Sequence, residues 1–265
     1  MCSGLIDCHL HLQDSRILDR ADQIVREARE VGVRHFLVNG TRPQDWDEVE
    51  RLASEFIEVT PNFGWHPWYV GDVSPDWEGQ LQDLLDRFPI AGIGEIGLDG
   101  WIKGHDIGLQ RDVFLRQMEL AREKKRAVTI HCLKAWGHLL DCLESIEWSA
   151  PFLLHSYSGP REMIDKFLAL GAYFSLSGYF FHPNKREKLE TFEAIPKERI
   201  LLETDAPDMS LPKSLEEARL DPEGNHPSNL AVVYQQFAIW QGEPLGSIQL
   251  QMKRNAEAWF GQAFN

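Results

Sequence analysis

The stretch LIDCHLHL, residues 5–12, determines how the rest of the chain is interpreted. In a β-strand alternate side chains point the same way, so Asp7, His9 and His11 share one face and the leucines lie on the other. Two imidazoles on one strand face can bind a single metal ion, and Asp7 is close enough to orient one of the rings. A lone strand histidine, however, is more often a packed or solvated residue. The other strands therefore have to supply further ligands before a metal site is predicted.

The composition limits the class of protein. The 265 residues are 43% hydrophobic and 26% charged, which is typical of a globular protein and fits one large α/β domain or two small ones. No apolar run reaches the ~20 residues of a membrane span, and no signal peptide is apparent, which favours a cytoplasmic protein with no membrane partner. The four cysteines form no CxxC pair and are expected to be reduced.

The charge balance is acidic. The chain has 27 basic and 41 acidic side chains, which give a net charge of −14. This sign is opposite to that of a protein that coats nucleic acid. Any substrate that bears phosphate must therefore meet a local basic patch.

Strand-like and helix-like segments alternate along the whole chain, which predicts a parallel sheet with crossover helices. Eight strands are predicted, at residues 5–11, 34–39, 57–65, 90–96, 127–131, 152–155, 172–177 and 200–205. Helix-period segments between them include residues 19–32, 45–56, 108–125 and 160–171. Eight strand–helix units in ~250 residues are the size of a (β/α)8 TIM barrel. We therefore expect one α/β barrel domain over residues 1–265, with an additional C-terminal helix at residues 247–261. A doubly wound open sheet is the alternative, but the chain has no GxGxxG element to support it.

Six ionisable residues fall at the carboxyl ends of five predicted strands, which is the end of a barrel where active sites lie. Each one alone is more simply explained as a satisfied polar group, but six together would be costly to bury without a metal or mutual pairing. Four histidines and two carboxylates suffice for two divalent ions that share a bridging carboxylate, and such a site favours hydrolysis. The six are His9 and His11 on strand one, Glu95 on strand four, His131 on strand five, His155 on strand six and Asp205 on strand eight.

Several separated motifs also resemble one family. In chain order, DCHLH, GWHPW, GEIGLD, TIHC, HSYSG, LLETDAP, NHPSNL and RNAEAWFG are similar to segments of the TatD family of metal-dependent deoxyribonucleases, which are amidohydrolase-like barrels. The resemblance implies cleavage of phosphodiester bonds in nucleic acid, with single-stranded DNA as the expected substrate. It also implies that one metal is held by His9, His11 and Asp205, that the other is held by His131 and His155, and that Glu95 bridges them.

The identity of the two divalent ions stays open at the level of the sequence. Mixed imidazole and carboxylate ligands suit zinc, manganese or iron, and magnesium could act together with substrate phosphates. In the expected reaction a bridging hydroxide is the nucleophile, Glu95 holds both ions and Asp205 accepts and relays the proton.

Three more residues are expected to assist. Asp7 and Glu203 lie deeper on their strands and should support the ligands from behind, although Glu203 could also be a plain ion-pair partner in the core. His66 corresponds to a family histidine that faces the substrate, where it could stabilise charge on a phosphoryl oxygen. Its alternative is a loop histidine that caps backbone groups.

The predicted loops beyond the strand ends are rich in cations and aromatic residues. Lys134 and Arg161 are expected to contact substrate phosphates. Aromatic rings beside cations suit stacking of splayed single-stranded bases, although most of these rings should pack between the loops and the barrel. The other cations are Arg42, Lys103, Lys185 and Arg186, and the aromatic residues are Trp46, Trp65, Trp68, Trp101, Trp136, Tyr157 and Tyr179.

The chain departs from the family pattern in the walls of the pocket. Trp68 stands where a second histidine is common, Gly100 stands where an aromatic residue is usual, and HSYSG replaces HCFSG. These departures and the acidic charge favour an alternative, which is an amidohydrolase-like enzyme that acts on a small-molecule ester, lactone, amide or phosphoester. A noncatalytic scaffold is a further alternative, but all six ligand positions are present. The oligomeric state is open.

Overall fold

The computed structural model describes residues 4–104, 106–220 and 224–264. Eight strands form one parallel sheet in chain order, and each strand pairs with the next. Backbone hydrogen bonds from Asp205 N to His9 O and from His11 N to Ala206 O bring the last strand end onto the first. This arrangement confirms the (β/α)8 barrel and rules out the open doubly wound sheet. The strands are β1 (Leu5–Leu10), β2 (Val33–Asn39), β3 (Val59–Phe63), β4 (Gly92–Asp99), β5 (Val128–Leu133), β6 (Phe152–Leu154), β7 (Ala172–Ser177) and β8 (Ile200–Glu203).

A helix follows every strand, and one more helix ends the fold. Local sequence sets several of the helix ends: Asp106 accepts hydrogen bonds from the first free amides of one helix, and Gly242 and Gly261 end two others in the left-handed conformation. The helices are α1 (Ala21–Glu30), α2 (Pro43–Glu55), α3 (Trp77–Arg87), α4 (Ile107–Lys124), α5 (Trp136–Ser145), α6 (Ile164–Ala169), α7 (Arg186–Thr191), α8 (Leu230–Gln241) and α9 (Leu245–Phe260). In the described ranges, no helix combines the length and the apolar character that crossing a membrane requires.

The additional helix α9 closes the amino-terminal end of the barrel. Its Trp259 and Phe260 are buried in an apolar cluster with inward-facing strand residues such as Leu153 and Leu201. The indole Nε1 of Trp259 donates to the carbonyl of Val128, at the start of β5, over 3.3 Å. The predicted C-terminal helix is therefore confirmed, and it seals the end opposite the predicted active site.

Strand β4 is longer than the sequence predicts. It runs on to Asp99 because Ile96 to Asp99 pair with Ile130 to Leu133 of β5. Gly97 allows this close approach, since its φ of +146° is a glycine conformation and a Cβ there would overlap the carbonyl of His131. The three extra residues carry a second carboxylate toward the mouth of the barrel.

The strand β1 departs from simple alternation. Asp7 pairs with Phe36 and Leu10 pairs with Val38, so three steps along β1 match two steps along β2, as in a β-bulge. The prediction that Asp7 shares a face with His9 and His11 is therefore wrong, because the bulge breaks the period of two. Of the cysteines, Cys8, Cys132 and Cys142 are buried and unpaired, and Cys2 lies outside the described residues.

Candidate active site

The side chains of the six predicted ligands meet at the carboxyl end of the barrel. Glu95 is at the centre and is almost completely buried. Candidate metal-binding atoms lie within 4.8 Å of one another in three overlapping sets, which are His9 with His11 and Asp205, His9 with Glu95 and His155, and His66 with Glu95 and His131. The strands thus bring together residues that are up to 196 positions apart, as the strand-end argument requires.

The first half of the site surrounds Oε2 of Glu95. The Nε2 atoms of His9 and His11 are 3.2 Å apart, and they lie 3.5 Å and 3.2 Å from Glu95 Oε2. Oδ1 of Asp205 lies 3.5 Å from His9 Nε2 and 3.6 Å from His11 Nε2. Around a zinc ion with bonds of ~2.0–2.1 Å, tetrahedral ligand atoms are about 3.3 Å apart. These four atoms could therefore hold one divalent ion.

The second half surrounds the other oxygen of the same carboxylate. Oε1 of Glu95 lies 2.9 Å from Nδ1 of His131 and 2.8 Å from Nε2 of His155. The two ring nitrogens are 3.3 Å apart. Nε2 of His66 is 3.2 Å from the same oxygen. Glu95 thus presents one oxygen to each half, which is the arrangement of a carboxylate that could bridge two ions.

Burial and charge shape the protonation of this cluster. Burial raises the pKa of Glu95, but the facing histidines, His155 foremost, outweigh it and hold that pKa well below its usual range. Burial lowers the pKa of His9 to about 4, and the neighbouring His155 adds to this effect. Burial also lowers the pKa of His11, but Glu95 and Asp205 overcome it and raise the pKa to about 9. The central carboxylate is therefore ionised and available as a ligand.

The orientation of His11 is fixed from outside the site. Its Nδ1 lies 2.8 Å from the carbonyl oxygen of Asn39 at the end of β2. A carbonyl only accepts, so Nδ1 carries a proton and donates it, and Nε2 is the ring nitrogen that faces Glu95. Gln13 donates to the same carbonyl over 2.6 Å and packs beside the ring. The sequence analysis did not single out Gln13, although it lies two residues after His11.

Asp99 is the main residue that the sequence analysis missed. Its Oδ2 lies 3.0 Å from Nε2 of His131 and accepts a 2.7 Å hydrogen bond from Nε1 of Trp68. This contact assigns a proton to Nε2 of His131 and leaves Nδ1 as the ring nitrogen that faces Glu95. Glu95 and Asp99 are four residues apart on one strand, and that even spacing was the available signal.

His155 is supported by Glu203, as the sequence predicts in outline. Oε1 of Glu203 lies 3.7 Å from His155 Nδ1 and accepts a 2.5 Å hydrogen bond from the hydroxyl of Ser156. The hydroxyl of Ser175 donates to the other oxygen. Glu203 is fully buried, and in the described part of the chain its charged partner is His155 rather than a lysine or arginine.

Asp7 acts at the seam of the barrel. Its carboxylate accepts hydrogen bonds from the amide and hydroxyl of Thr204, at 2.9 and 2.5 Å. It therefore links β1 to the turn that carries Asp205, and no described contact joins it to an imidazole ring. Asp205 itself has a φ of +53°, a left-handed conformation that is rare outside glycine, and this turn brings its carboxylate toward His9 and His11.

The contacts of His66 include the backbone cap that the second interpretation describes. Its Nδ1 accepts a 3.2 Å hydrogen bond from the amide of Trp68, which caps the short helical turn at Pro67–Asp72. This leaves the proton on Nε2, which lies 3.2 Å from Glu95. Burial lowers the pKa of His66 to about 4, so the ring is neutral near pH 7.

A cleft of about 830 Å³ opens from the second half of the site toward the loops that follow β4 to β8. Lys134 lines it, but Arg161 is absent from its lining among the described residues and donates instead to the backbone of Glu190. Lys185 and Lys188 also line the cleft, and Lys188 was missed. Most of the aromatic residues noted in the loops are buried, as expected, whereas Trp68 and Trp101 are exposed.

Comparison with known proteins identifies the family. The chain matches the family described as TatD related DNase over residues 6–261. The chain belongs to this family. A relative from Klebsiella pneumoniae (strain 342), named "3'-5' ssDNA/RNA exonuclease TatD", is 30% identical over 259 residues, which cover 97% of this chain and 98% of that protein. A relative of the same name from Pantoea vagans is 28% identical over 265 residues, with coverage of 97% and 99%.

Solved TatD structures have the same fold. A TatD homologue from Escherichia coli K12 has a TM-score of 0.89 at 24% identity, with coverage of 98% of this chain and 99% of that chain. A TatD family hydrolase from Entamoeba histolytica has a TM-score of 0.87 at 18% identity, with the same coverage. This TatD family member is thus a metal-dependent hydrolase that uses divalent metal, in agreement with the resemblance seen in the sequence.

Proposed function

We propose that the chain hydrolyses phosphodiester bonds of single-stranded nucleic acid, with DNA as the main substrate, and that it uses two divalent ions to do so. The observation that carries the proposal is the division of the Glu95 carboxylate, with one oxygen facing each of two histidine sets. The names of the relatives, "3'-5' ssDNA/RNA exonuclease TatD", support the class of substrate. The alternative of a small-molecule hydrolase has no comparable observation in its favour.

The ligand assignment follows from the two halves of the site. We assign one zinc, magnesium or manganese ion to the first half and a second ion to the other, with Glu95 between them. Divalent ions there would acidify water and stabilise negative charge on a phosphoryl oxygen. The two sets of ligands are His9, His11, Glu95 and Asp205, and Glu95, His131 and His155.

Asp205 is assigned the role of accepting a proton. Among the described residues, it is the one carboxylate that belongs both to the ligand cluster and to the lining of the cleft, so its oxygens can reach the substrate side. Its left-handed backbone favours a functional position, because such strain persists only where the surrounding structure enforces it. The side chain of His66 does not line the cleft among the described residues, so its action on a phosphoryl oxygen stays a prediction.

The first test combines metal analysis with a substrate panel. We expect two divalent ions per chain after mild purification and cleavage of single-stranded DNA above duplex DNA. RNA, lactones, simple esters and amides complete the panel. Activity on a lactone or ester without activity on any nucleic acid would establish the alternative. One ion per chain with full activity would contradict the two-ion assignment.

The second test addresses Asp205. An Asp205→Asn variant keeps the shape and one oxygen of the side chain but removes the proton acceptor. We expect a loss of ~10²–10⁴-fold in turnover, as for general acid–base groups. Metal content is measured on the same sample. Turnover near that of the parent enzyme with both ions present would refute the assigned role.

A further inference from the structure

The cleft carries rings and cations that the hydrolytic centre does not use. Its lining includes Trp101 after β4, Lys134 after β5, and Tyr179 and Lys185 after β7. Its volume of about 830 Å³ lies within the roughly 300–1,000 Å³ of ligand-binding clefts. His131, His155 and Asp205 line its inner end, so a molecule that fills the cleft touches the centre.

One wall of the cleft is built around Gly100. The amide of Gly100 donates to the carbonyl of Leu133 over 2.8 Å. A Cβ at Gly100 would lie 2.8 Å from the carbonyl oxygen of Lys134, which is too close for any other residue. Glycine therefore lets the loop after β4 lie directly on the loop after β5. The backbone just before Trp101 therefore lies against the backbone of Lys134, and both side chains line the cleft.

The backbone of Trp101 is anchored close to the hydrolytic centre. Its backbone amide donates a 2.7 Å hydrogen bond to Oδ1 of Asp99, whose other oxygen contacts His131. The backbone of Trp101 is thus linked through Asp99 to the predicted metal ligand His131, while the side chain of Trp101 is 58% exposed. A large exposed ring on an anchored backbone is a suitable surface for stacking a planar group, because little conformational entropy is lost on binding.

The facing wall comes from the loop after β7. Lys185 Nζ lies 4.8 Å from the centroid of the Tyr179 ring, so it covers one face of that ring. The loop after β6 lies between the two walls, because the strands follow one another around the barrel. Because Lys185 covers one face of Tyr179, Trp101 is the better stacking surface. Lys134 and Lys185, on the loops after β5 and β7, place positive charge on both sides of the cleft.

The charge of the cleft is opposite to that of the whole chain. Three lysines line it, and Asp205, which belongs to the metal centre, is the one carboxylate among its described lining residues. The chain as a whole has a net charge of −14. A planar aromatic group together with a negatively charged backbone fits these walls, and a nucleotide has both.

We propose that the cleft holds the nucleotide next to the scissile bond, with its base stacked on Trp101 and its phosphates bound by Lys134 and Lys185. This inference rests on the proposed function and adds to it the side from which the strand enters. The strand then runs from the hydrolytic centre across the loops after β5 to β7. Stacking accepts any base, so the subsite selects single strands without selecting a sequence.

The test compares a change in the protein with a change in the substrate. Metal-loaded enzyme is assayed on a labelled single-stranded oligonucleotide and on two copies with an abasic residue on either side of the scissile bond. We expect Trp101→Ala to raise KM ~5- to ~100-fold, and Trp101→Phe to retain most of the affinity. With the parent enzyme, one of the two abasic strands should raise KM by a similar factor. With Trp101→Ala, the same strand should cause no further rise in KM. The inference would be overturned if the effects of Trp101→Ala and of the abasic residue on KM multiplied independently, or if Trp101→Ala left KM unchanged.

The lysines are tested by salt dependence. Lys134→Gln should reduce the slope of log KM against log salt by ~0.7, the value for one phosphate contact on a single strand. Lys125→Gln is a matched control, because Lys125 has the same φ of +53° but precedes β5 at the opposite end of the barrel. Equal slopes for Lys134→Gln and the parent enzyme would remove Lys134 from the subsite.

Failure of the inference can be told apart from failure of the proposed function. Cleavage of DNA that is insensitive to Trp101 and to abasic residues rejects the subsite and leaves the nuclease intact. If no nucleic acid is cleaved, fluorescence anisotropy with the same oligonucleotides tests binding to the subsite independently of cleavage. Binding that Trp101→Ala abolishes would support the subsite without the reaction, and absence of binding would reject both.

Discussion

The two ends of the barrel use the same strands for opposite purposes. At the amino end, Leu153 and Leu201 point inward and pack against α9 in an apolar cluster. Two residues further along the same strands, His155 and Glu203 point inward at the hydrolytic centre. A step of two residues therefore separates the layer that stabilises the fold from the layer that carries chemistry. Changes at the amino end should therefore leave the catalytic activity largely intact, and changes at the mouth should leave the packing of the fold largely intact.

Removal of the metal should have the largest effect and should be confined to the mouth. Chelation followed by desalting is expected to abolish hydrolysis, because the ligand cluster by itself has no activated nucleophile. Ions that bind only the folded state at 100 times their Kd stabilise it by about 2.7 kcal/mol. We therefore expect the Tm to fall by roughly 5–10 °C while the far-ultraviolet circular dichroism is unchanged. Loss of the helical signal on chelation would mean that the two ends are not separable.

Replacement of the central carboxylate, Glu95, should have the next largest effect on activity. Glu95→Gln keeps the shape but removes the charge and leaves one oxygen, so the side chain can no longer serve both halves at once. We expect activity to fall by ~10³-fold, beyond the ~100-fold of outer contacts. Metal titration by calorimetry should show weakened binding. Glu198→Gln, on an exposed residue just before β8, is the matched control and should retain activity. Activity above one tenth of the parent value would disprove the bridging role.

The third prediction concerns the apolar cluster at the amino end of the barrel, where a substitution should lower stability and spare activity. Trp259→Ala removes a buried indole and its hydrogen bond to Val128, and we expect the free energy of unfolding to fall by about 3–5 kcal/mol. Urea denaturation measures this loss. At low temperature, kcat and metal content should remain within about twofold of the parent values. A large fall in kcat without a fall in stability would show that α9 communicates with the mouth.

The smallest expected effect is at Asp99. Asp99→Asn keeps the size of the side chain but weakens the contact that assigns the proton of His131, and we expect metal affinity to fall ~10–100-fold. Calorimetric metal titration is the main readout, since a merely structural change would not move it. Trp68→Phe removes only the indole hydrogen bond to the same carboxylate and should have a smaller effect. Unchanged metal affinity in Asp99→Asn would exclude this positioning role.

The errors of the sequence analysis have local physical causes. The sequence pattern predicts too early an end for strand four because Gly97, a weak strand former, follows Ile96, and this hides Asp99. Asp7 was placed on the wrong face because a bulge cannot be read from alternation alone. Arg161 was expected in the cleft because it follows strand six, but a loop residue is positioned by its own contacts, here with Glu190.

The sequence by itself determined the barrel, the additional helix and the set of six candidate ligands. It could do so because strand and helix periods, and residues at strand ends, are local features that one topology converts into one cavity. The tertiary structure decided which oxygen of Glu95 faces which histidines, that Asp99 contacts His131, and that the backbone at Gly100 lies against that of Lys134. These depend on the register between neighbouring strands and on how closely their backbones approach, and no local pattern contains either. The HLH stretch of β1 predicted a metal site, and the path of β4, which β2 and β3 separate from β1 in the barrel, decided the form of that site.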